Sequence, residues 1–482
     1  MEGVDLVSKE VVIIGGGISG LSSAYFIKKY LAAHCGHPTV NITILEQGHR
    51  IGGKISTEIA GDFMVEKGPD SVATSNEIFM ELCKDLGIDK HLVAPELSAS
   101  KASVLIGKQM RNLPDGLAMM LPNSIMSMVL SDLLTPVGKS RAALEVLLPR
   151  GSIADESVAS FVKRRFGKEV YERLAEPLLS GIHAGNPEHT SIRCAFPYLA
   201  EFEDNFRSIL LSGKKHSNRT AGTVSNSHRR PPLMSLDGGM GDLPNALVKA
   251  LGSVNILTHR GVNSVVPMGA HNGKHLINMF NGETMSADVV IMATPAYSSA
   301  KMISGSDERL AKILNSIQYR TVVTVSLAYK NSDIISYPKG SGVLVPKIEG
   351  MRLGAITWSS LKWSSRAPSR TLLARCYFND AYYNDTVTMD DQAIIEMAND
   401  SLCTLIGIIG KPIMSRVHKW PMGMPQYTIG HSQRVDYIMS KLKGHKGIFV
   451  TGAWINGVGV PNCVSNASKA AADVVDYICK SA

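Results

Sequence analysis

VVIIGGGISGL, residues 11–21, decides the fold. Val11–Ile14 are apolar without alternation, as a parallel strand buried on both faces would be. They run straight into GGGISG, where Gly15, Gly17 and Gly20 fit G-x-G-x-x-G and Gly16, Ile18 and Ser19 fill the intervening places. Glycine removes the Cβ atoms that would block a tight turn and hold the backbone away from a phosphate. The following LSSAYFIKKYL places Leu21, Ala24 and Tyr25 at i, i+3 and i+4, which predicts a helix packed on a sheet. The N-terminus of such a helix carries unpaired N–H groups and about half a positive charge, suited to a pyrophosphate.

The glycine spacing alone is weak: with 43 glycines in 482 residues it arises by chance roughly 0.3 times. Its context is more specific. A second strand, VNITILE (Val40–Glu46), ends in an acid 26 residues after Gly20, and AAHCGHPT (Ala32–Thr39) absorbs the extra length as a surface connection. Glu46 can accept both ribose hydroxyls of a dinucleotide and disfavours a 2′-phosphate, so NADP is not expected. The bland reading of Glu46 is an exposed acid at a strand end. Four residues on, RIGGKIST (Arg50–Thr57) supplies a second glycine pair, and VEKGPDS follows at Val65–Ser71. Near the other end, GIFVTGAWINGVGVPNCVSNASKAA (Gly447–Ala471) reads as a buried strand, a glycine-rich turn and a helix. A second strand-to-helix turn, over 400 residues from the first, suits an extended cofactor held at both ends. SADVVIMATP (Ser286–Pro295) reads as another buried strand.

The totals bound the rest. At 482 residues the chain exceeds one ordinary core, so two or three lobes are expected. A hydrophobic share of 44% against 19% charged excludes wholesale disorder. Of the net charge of +8, five units lie in GKKHSNRTAGTVSNSHRRPP (Gly213–Pro232), which reads as a polar, basic surface loop. No basic–aromatic alternation points to nucleic acid. The seven cysteines (Cys35, Cys83, Cys194, Cys376, Cys403, Cys463, Cys479) form no C-x-x-C and are odd in number, which predicts reduced thiols in a cytoplasmic protein and no metal site. MEGVDLVSKE lacks the features of a signal peptide. LAMMLPNSIMSMVLSDLL (Leu117–Leu134) is interrupted by Pro122, Asn123 and Asp132, a poor spanning helix that reads as core or as an apolar surface.

E-x3-R-x-G-G after this βαβ start resembles the flavoenzyme family that includes amine oxidases, phytoene desaturases and protoporphyrinogen oxidases. Five stretches in order resemble its porphyrinogen oxidase branch, the soluble Gram-positive type in particular: KGPDS (Lys67–Ser71), EPLLSGIHAGNPEHTS (Glu176–Ser191), SLDGGMGDLPNAL (Ser235–Leu247), KWPMGMPQYTIGH (Lys419–His431) and TGAWINGVGVPNC (Thr451–Cys463). The resemblance implies an α/β fold in three parts. Residues 1–89, 233–297 and 425–482 would build a Rossmann-type FAD-binding domain, 298–424 a sheet-based substrate domain, and 90–215 a mostly helical domain that meets the bilayer in membrane-associated relatives. Family positions carry FAD contacts onto Gly15–Gly20, Glu46, Gln47, Lys54, Gly68, Pro69, Asp70, Ser71, Val262 (within GVNSVV), Trp420, Gly457, Val458 and Gly459. Trp420 has an ordinary alternative as a core residue.

The implied reaction removes six electrons from a porphyrinogen as three hydrides given to FAD, with dioxygen reduced to hydrogen peroxide. The cofactor supplies that chemistry, so no acid–base constellation is expected; His183 and His431 are left without a catalytic role. Gly181 and Ile182 match positions facing the macrocycle; the alternative for the glycine is a helix C-cap. Plant and other eukaryotic relatives carry a propionate-pairing arginine on the strand matching ASVLIG (Ala102–Gly107), where this chain has Ser103 with Lys101 nearby. That departure favours coproporphyrinogen III, with four propionates, over protoporphyrinogen IX, with two. A peripheral membrane contact and a hand-off to a later enzyme of haem synthesis are compatible partners. An amine oxidase, for which Trp454 lacks an aromatic partner, and a binding-only flavoprotein are the rival readings.

Overall fold

The computed structural model describes residues 8–33, 39–99, 101–114, 131–151, 154–210, 231–267, 273–378, 382–383 and 385–480, with backbone alone at 182 and 183. Strands are numbered in chain order. β1 (Lys9–Ile14), β2 (Val40–Leu45), β10 (Asn255–Leu257), β14 (Val289–Met292) and β20 (Ile448–Val450) form a parallel sheet in the order β10–β2–β1–β14–β20. Its central strands lack alternation because both faces are covered. Val11, Ile13, Val289 and Ile291 enter one core, while Val12, Ile14, Val290 and Met292 enter a second.

The first core is closed by two helices, Ile18–Ala33 and Val460–Lys480. Leu21, Ala24 and Ile27 pack with Val464, Ala471 and Val475, and the Tyr30 and Ser468 hydroxyls hydrogen-bond at 2.6 Å. Each helix follows its own strand and glycine turn, so both begin at the C-terminal edge of the parallel sheet. The second core is closed by the antiparallel strands β11 (Val262–Val266), β12 (His275–Met279) and β13 (Thr284–Ala287), and by helices Ala296–Ile303, Glu308–Asn315 and His431–Leu442.

A seven-stranded sheet stands apart from this domain: β7 (Ala102–Ile106), β8 (Gln109–Asn112), β15 (Tyr319–Lys330), β16 (Gly342–Leu344), β17 (Leu353–Trp358), β18 (Thr371–Phe378) and β19 (Met414–Pro425), in the order β19–β15–β18–β17–β16–β7–β8. Alternation along β18 separates its faces. Leu372, Ala374 and Cys376 pack under the helix Asp391–Ile406. That helix is capped by Asp390, whose side chain accepts from Gln392 N, and ended by Gly407 at φ +66. Leu373 turns the other way, against the hairpin of β3 (Thr57–Ala60) and β4 (Phe63–Glu66). A small ribbon of β5 (Val72–Ala73), β9 (Leu233–Leu236) and β6 (Leu92–Val93) lies beside the cofactor domain.

The third body is helical, with Val158, Phe161, Leu178, Leu179 and Leu199 in its core. Arg165 and Glu145 form an ion pair there, both side chains fully buried. Glu145 also accepts from Ser208 Oγ (2.8 Å), Ile209 N (2.9 Å) and Leu210 N (3.3 Å). Two boundaries differ from the expected ones. β7 and β8 leave the helical span to join the sheet, because β7 is a shared wall: Val104 faces the helical core and Leu105 the sheet core. Helices Ala296–Ile303 and Glu308–Asn315 pack on the cofactor domain. Most of Gly213–Pro232 and of Leu117–Leu134, and Cys35, lie outside the described residues; Leu133 and Leu134 are buried in the helical core. Among the described residues no helix is long and apolar enough to cross a membrane.

Candidate functional site

The glycine turn is built as its sequence requires. Gly15 sits at φ +111, and a Cβ there would lie 2.7 Å from Ala293 O. A Cβ on Gly20 would lie 1.9 Å from Gly15 O, so the helix start rests directly on the turn. Gly17 is different: the nearest atom to its Cβ position is Gly53 Cα at 3.8 Å, which leaves an open cradle. Gly16 N donates to Glu46 Oε2 (2.8 Å) and Gly48 N to Glu46 Oε1 (2.7 Å), which fixes the carboxylate at the end of β2. Each oxygen keeps a second lone pair for a ribose hydroxyl. The second glycine pair meets the first: Gly52 N donates to Gly16 O at 2.9 Å. Arg50 holds that pair by donating to Gly53 O at 2.5 Å. Gln47 lies against Gly261, just before Val262, whose side chain is buried in the second core.

Lys54 follows the second pair, and burial lowers its pKa. The closest charge effect on it comes from Cys463, in the first turn of the terminal helix. Gly68 packs on the Lys54 carbonyl, where a Cβ would come within 1.9 Å. Pro69 and Ser71 are half-buried beside it. Burial pushes the Asp70 carboxyl up, but Lys362 and Arg375 outweigh that and bring it down to about 2. Lys362 Nζ is 3.1 Å from Asp70 Oδ2. On the far side, Gly457 takes φ +88, a Cβ on it would meet Asn462 at 2.2 Å, and Cys463 N donates to Gly459 O, with Val458 half-buried between them.

One face of the seven-stranded sheet meets the loop that leads into Gly68–Ser71. Trp420, on β19, donates from Nε1 to Lys67 O at 2.7 Å, just before Gly68. Arg375 Nη2 reaches the same carbonyl at 3.3 Å. Tyr377 lies two residues along β18, its ring 4.9 Å from the Arg375 guanidinium, and Ala355 sits opposite Tyr377 in the sheet. Gly181 packs on that wall: its Cβ position is 3.0 Å from Leu344 Cδ2 and 3.4 Å from Ala355 Cβ.

The structure places Gly15–Gly20 (with Ile18 and Ser19 opening the helix), Glu46, Gln47 and the Gly52–Gly53 pair together, sets Lys54 near Cys463 and beside Gly68, and brings Trp420 to Lys67, next to Gly68–Ser71; Gly457–Gly459 lead into the terminal helix, and Gly181 packs on the sheet wall. Ser103 is not among them. Ser103 pairs in register with Val343, shares the Leu105 face of β7, and donates to Asn112 Oδ1 at 3.1 Å. The expectation that it faces the substrate is corrected by strand alternation. Lys101 is exposed at the sheet edge, its carbonyl accepting from Ser341 N. The side chain of Ile182 lies outside the described residues. Lys362, Arg375 and Tyr377 were missed by the sequence reading; a lone arginine alternating within the apolar run TLLARCYF was the available signal. His431 is structural. It stacks on Tyr427 at 4.4 Å, and its Nε2 is 2.9 Å from Trp454 O.

The comparisons agree with this architecture. The flavin containing amine oxidoreductase family matches residues 18–475. A coproporphyrinogen III oxidase of Bacillus subtilis is 31% identical over 98% of each chain. The chloroplastic protoporphyrinogen oxidase 1 of Spinacia oleracea is 28% identical over 97% of this chain and 84% of its own. A crystal structure of a protoporphyrinogen oxidase candidate from Exiguobacterium sp. 255-15 superposes with TM-score 0.82 at 25% identity, covering 97% of this chain and 98% of the other. The turn that opens the sequence, the second turn that meets it and the sheet above them are thus those of an FAD enzyme, and the chain belongs to the flavin containing amine oxidoreductase family, on the branch that holds the porphyrinogen oxidases.

Proposed function

We propose that the chain oxidises a porphyrinogen to the porphyrin in haem synthesis, with coproporphyrinogen III preferred over protoporphyrinogen IX and dioxygen as final acceptor. The observation that carries the reading is the meeting of the cofactor cleft with an apolar wall. Gly181 lies almost in contact with Leu344 and Ala355, and Tyr377 continues that wall toward Gly68–Ser71. A flat macrocycle needs such a wall, and a side chain at 181 would push against it. Full-length likeness to coproporphyrinogen III oxidases supports the substrate class. So does the absence from β7 of the arginine that plant and other eukaryotic relatives carry, with Ser103 in its place.

FAD, when bound, supplies the chemistry: it accepts two electrons at a time, so six electrons require three rounds. The chain's own residues hold and orient. The open cradle at Gly17 and the first turn of the helix Ile18–Ala33 receive the pyrophosphate, Glu46 the ribose, and the Gln47–Val262 region the adenine. Lys54, Gly68–Ser71, Trp420 and Gly457–Gly459 line the rest of the cofactor's path. The sheet wall covers the macrocycle and excludes water.

The free cysteines among the described residues fit a cytoplasmic protein. Exposed Val137 (79%), Leu147 (70%) and Phe206 (52%) on the helical body fit a peripheral membrane contact. The porphyrin product passes to a later enzyme of haem synthesis. The test is to purify the protein and supply coproporphyrinogen III and protoporphyrinogen IX in air. Fluorescent porphyrin with hydrogen peroxide, faster from the first substrate, is expected. A yellow protein inert to both but active on amines overturns the reading.

A further inference from the structure

One buried cation beside the Gly68–Ser71 loop is not fully paired, though its charge reaches Asp70. Arg375 is 4% exposed on β18 and spends Nη2 on Lys67 O. Its Nε and Nη1 find no hydrogen-bond partner among the described residues. The same carbonyl takes the Trp420 indole N–H, so Arg375 stands against the loop that leads into Gly68–Ser71. A buried donor left unmade is destabilising, more so when the group is charged.

Lys362 (9% exposed), Arg366 (1%) and Arg375 bring three positive charges to this region, met by Glu66 (5%) and Asp70, with Asp237 and Asp242 also acting on Arg366. Lys362 is committed to Asp70 at 3.1 Å and Arg366 to Glu66 at 3.1 Å, which leaves Arg375 without a direct ion pair among the described residues. At the rim Lys67 and Glu58 pair at 3.1 Å, and Arg416 and His418 also lean on Glu58, so that carboxylate is taken up by other cations.

We infer that Arg375 tunes the cofactor, its buried charge favouring reduced FAD over oxidised FAD. When a porphyrinogen C–H bond breaks, its electron pair and proton leave together. The cofactor then gains one negative charge, while the oxidised substrate later gives up a proton to solvent. A fixed positive charge in a poorly screened site favours the charged form. The arginine thereby makes the first and hardest transfer more downhill without touching the substrate. The inference rests on the placement of FAD against residues 68–71 proposed above.

The experiment is a midpoint-potential titration of the purified holoenzyme with dithionite and a reference dye, with no porphyrinogen present. Arg375→Met is expected to shift the ratio of reduced to oxidised binding ten- to hundredfold, a fall of about 30 to 60 mV for a two-electron couple. Arg375→Lys should restore most of it, and Asp70→Asn, which removes an opposing negative charge, should raise the potential. That reversal of sign is not expected of a merely structural residue. If Arg375→Met does not fold, the other two variants decide. Unchanged potentials in variants that hold FAD overturn the inference and leave the site reading intact. If instead only KM for coproporphyrinogen III rises relative to protoporphyrinogen IX, Arg375 reads a substrate carboxylate and the inference also fails. A wild-type protein that cannot be loaded with FAD overturns the site reading itself.

Discussion

Gly17→Ala and Gly20→Ala differ by one methyl group each at neighbouring points of one turn, and the structure separates their effects. At Gly17 the new carbon meets nothing nearer than Gly53 Cα at 3.8 Å, and its φ lies outside the left-handed region. The apoprotein should therefore keep its stability, or gain about 0.4–1 kcal/mol from the stiffer unfolded chain. The methyl instead projects into the cradle assigned to the pyrophosphate. If binding weakens a hundredfold, FAD at 100 times the wild-type Kd stabilises the variant by only about 0.4 kcal/mol instead of about 2.7 kcal/mol. At Gly20 the carbon would lie 1.9 Å from Gly15 O, a backbone atom that cannot swing aside. The apoprotein should lose about 1–3 kcal/mol or more through forced displacement. The assay is thermal and urea unfolding of both apoproteins, with and without FAD, beside a fluorescence titration of FAD. A Gly17→Ala protein that binds FAD within threefold of the wild type would refute the cradle, and a Gly20→Ala apoprotein of unchanged stability would refute the contact.

Other perturbations have equally definite outcomes. Burial, then the nearby Arg434, lowers the His431 pKa from 6.5 to about 4, so its stabilisation is whole above pH 6.5 and is lost as pH falls toward 4, at about 1.4 kcal/mol per pH unit at most. Urea unfolding at pH 7 and pH 5 should show a smaller loss on acidification in His431→Gln than in the wild type; an equal loss disproves the assignment. Arg165→Met strands the fully buried Glu145 and should cost about 3–5 kcal/mol, seen as a lower urea midpoint and faster proteolysis near residue 208. Gly181→Val pushes against Leu344 and Ala355 and should abolish porphyrin formation while FAD stays bound; a variant with wild-type turnover removes Gly181 from the substrate wall.

The glycine turns and the acid that ends β2 were legible because the patterns that build them are local. Gly15–Gly20 and Glu46 lie within one βαβ unit, and strand, turn and helix each leave a pattern in a few consecutive residues. The terminal turn was legible for the same reason. The substrate half was not. Ser103 occupied the right position along the chain but the wrong face of β7, and a one-residue difference in register decides that face. Arg375 and Lys362 come from strand and helix segments whose place opposite Lys67 and Asp70 depends on how the seven-stranded sheet docks on the β3–β4 hairpin. No local pattern encodes that docking. The boundary of the helical body failed similarly, because β7 serves two cores at once and belongs by sequence to neither.

The parallel pair of helices has a consequence for how the enzyme is made. The glycine turn at residues 15–20 emerges first from the ribosome, yet its neighbour helix begins at Val460, and β20 joins the sheet only beside β14. Ser19 and Cys463, which touch across the helices, are separated by nearly the whole message. Until residues past 460 have left the exit tunnel, the helix at Ile18–Ala33 lacks a neighbour that buries its apolar face. A chain ending before Val460 therefore lacks the second helix that closes the first core, together with Cys463, the partner of Ser19.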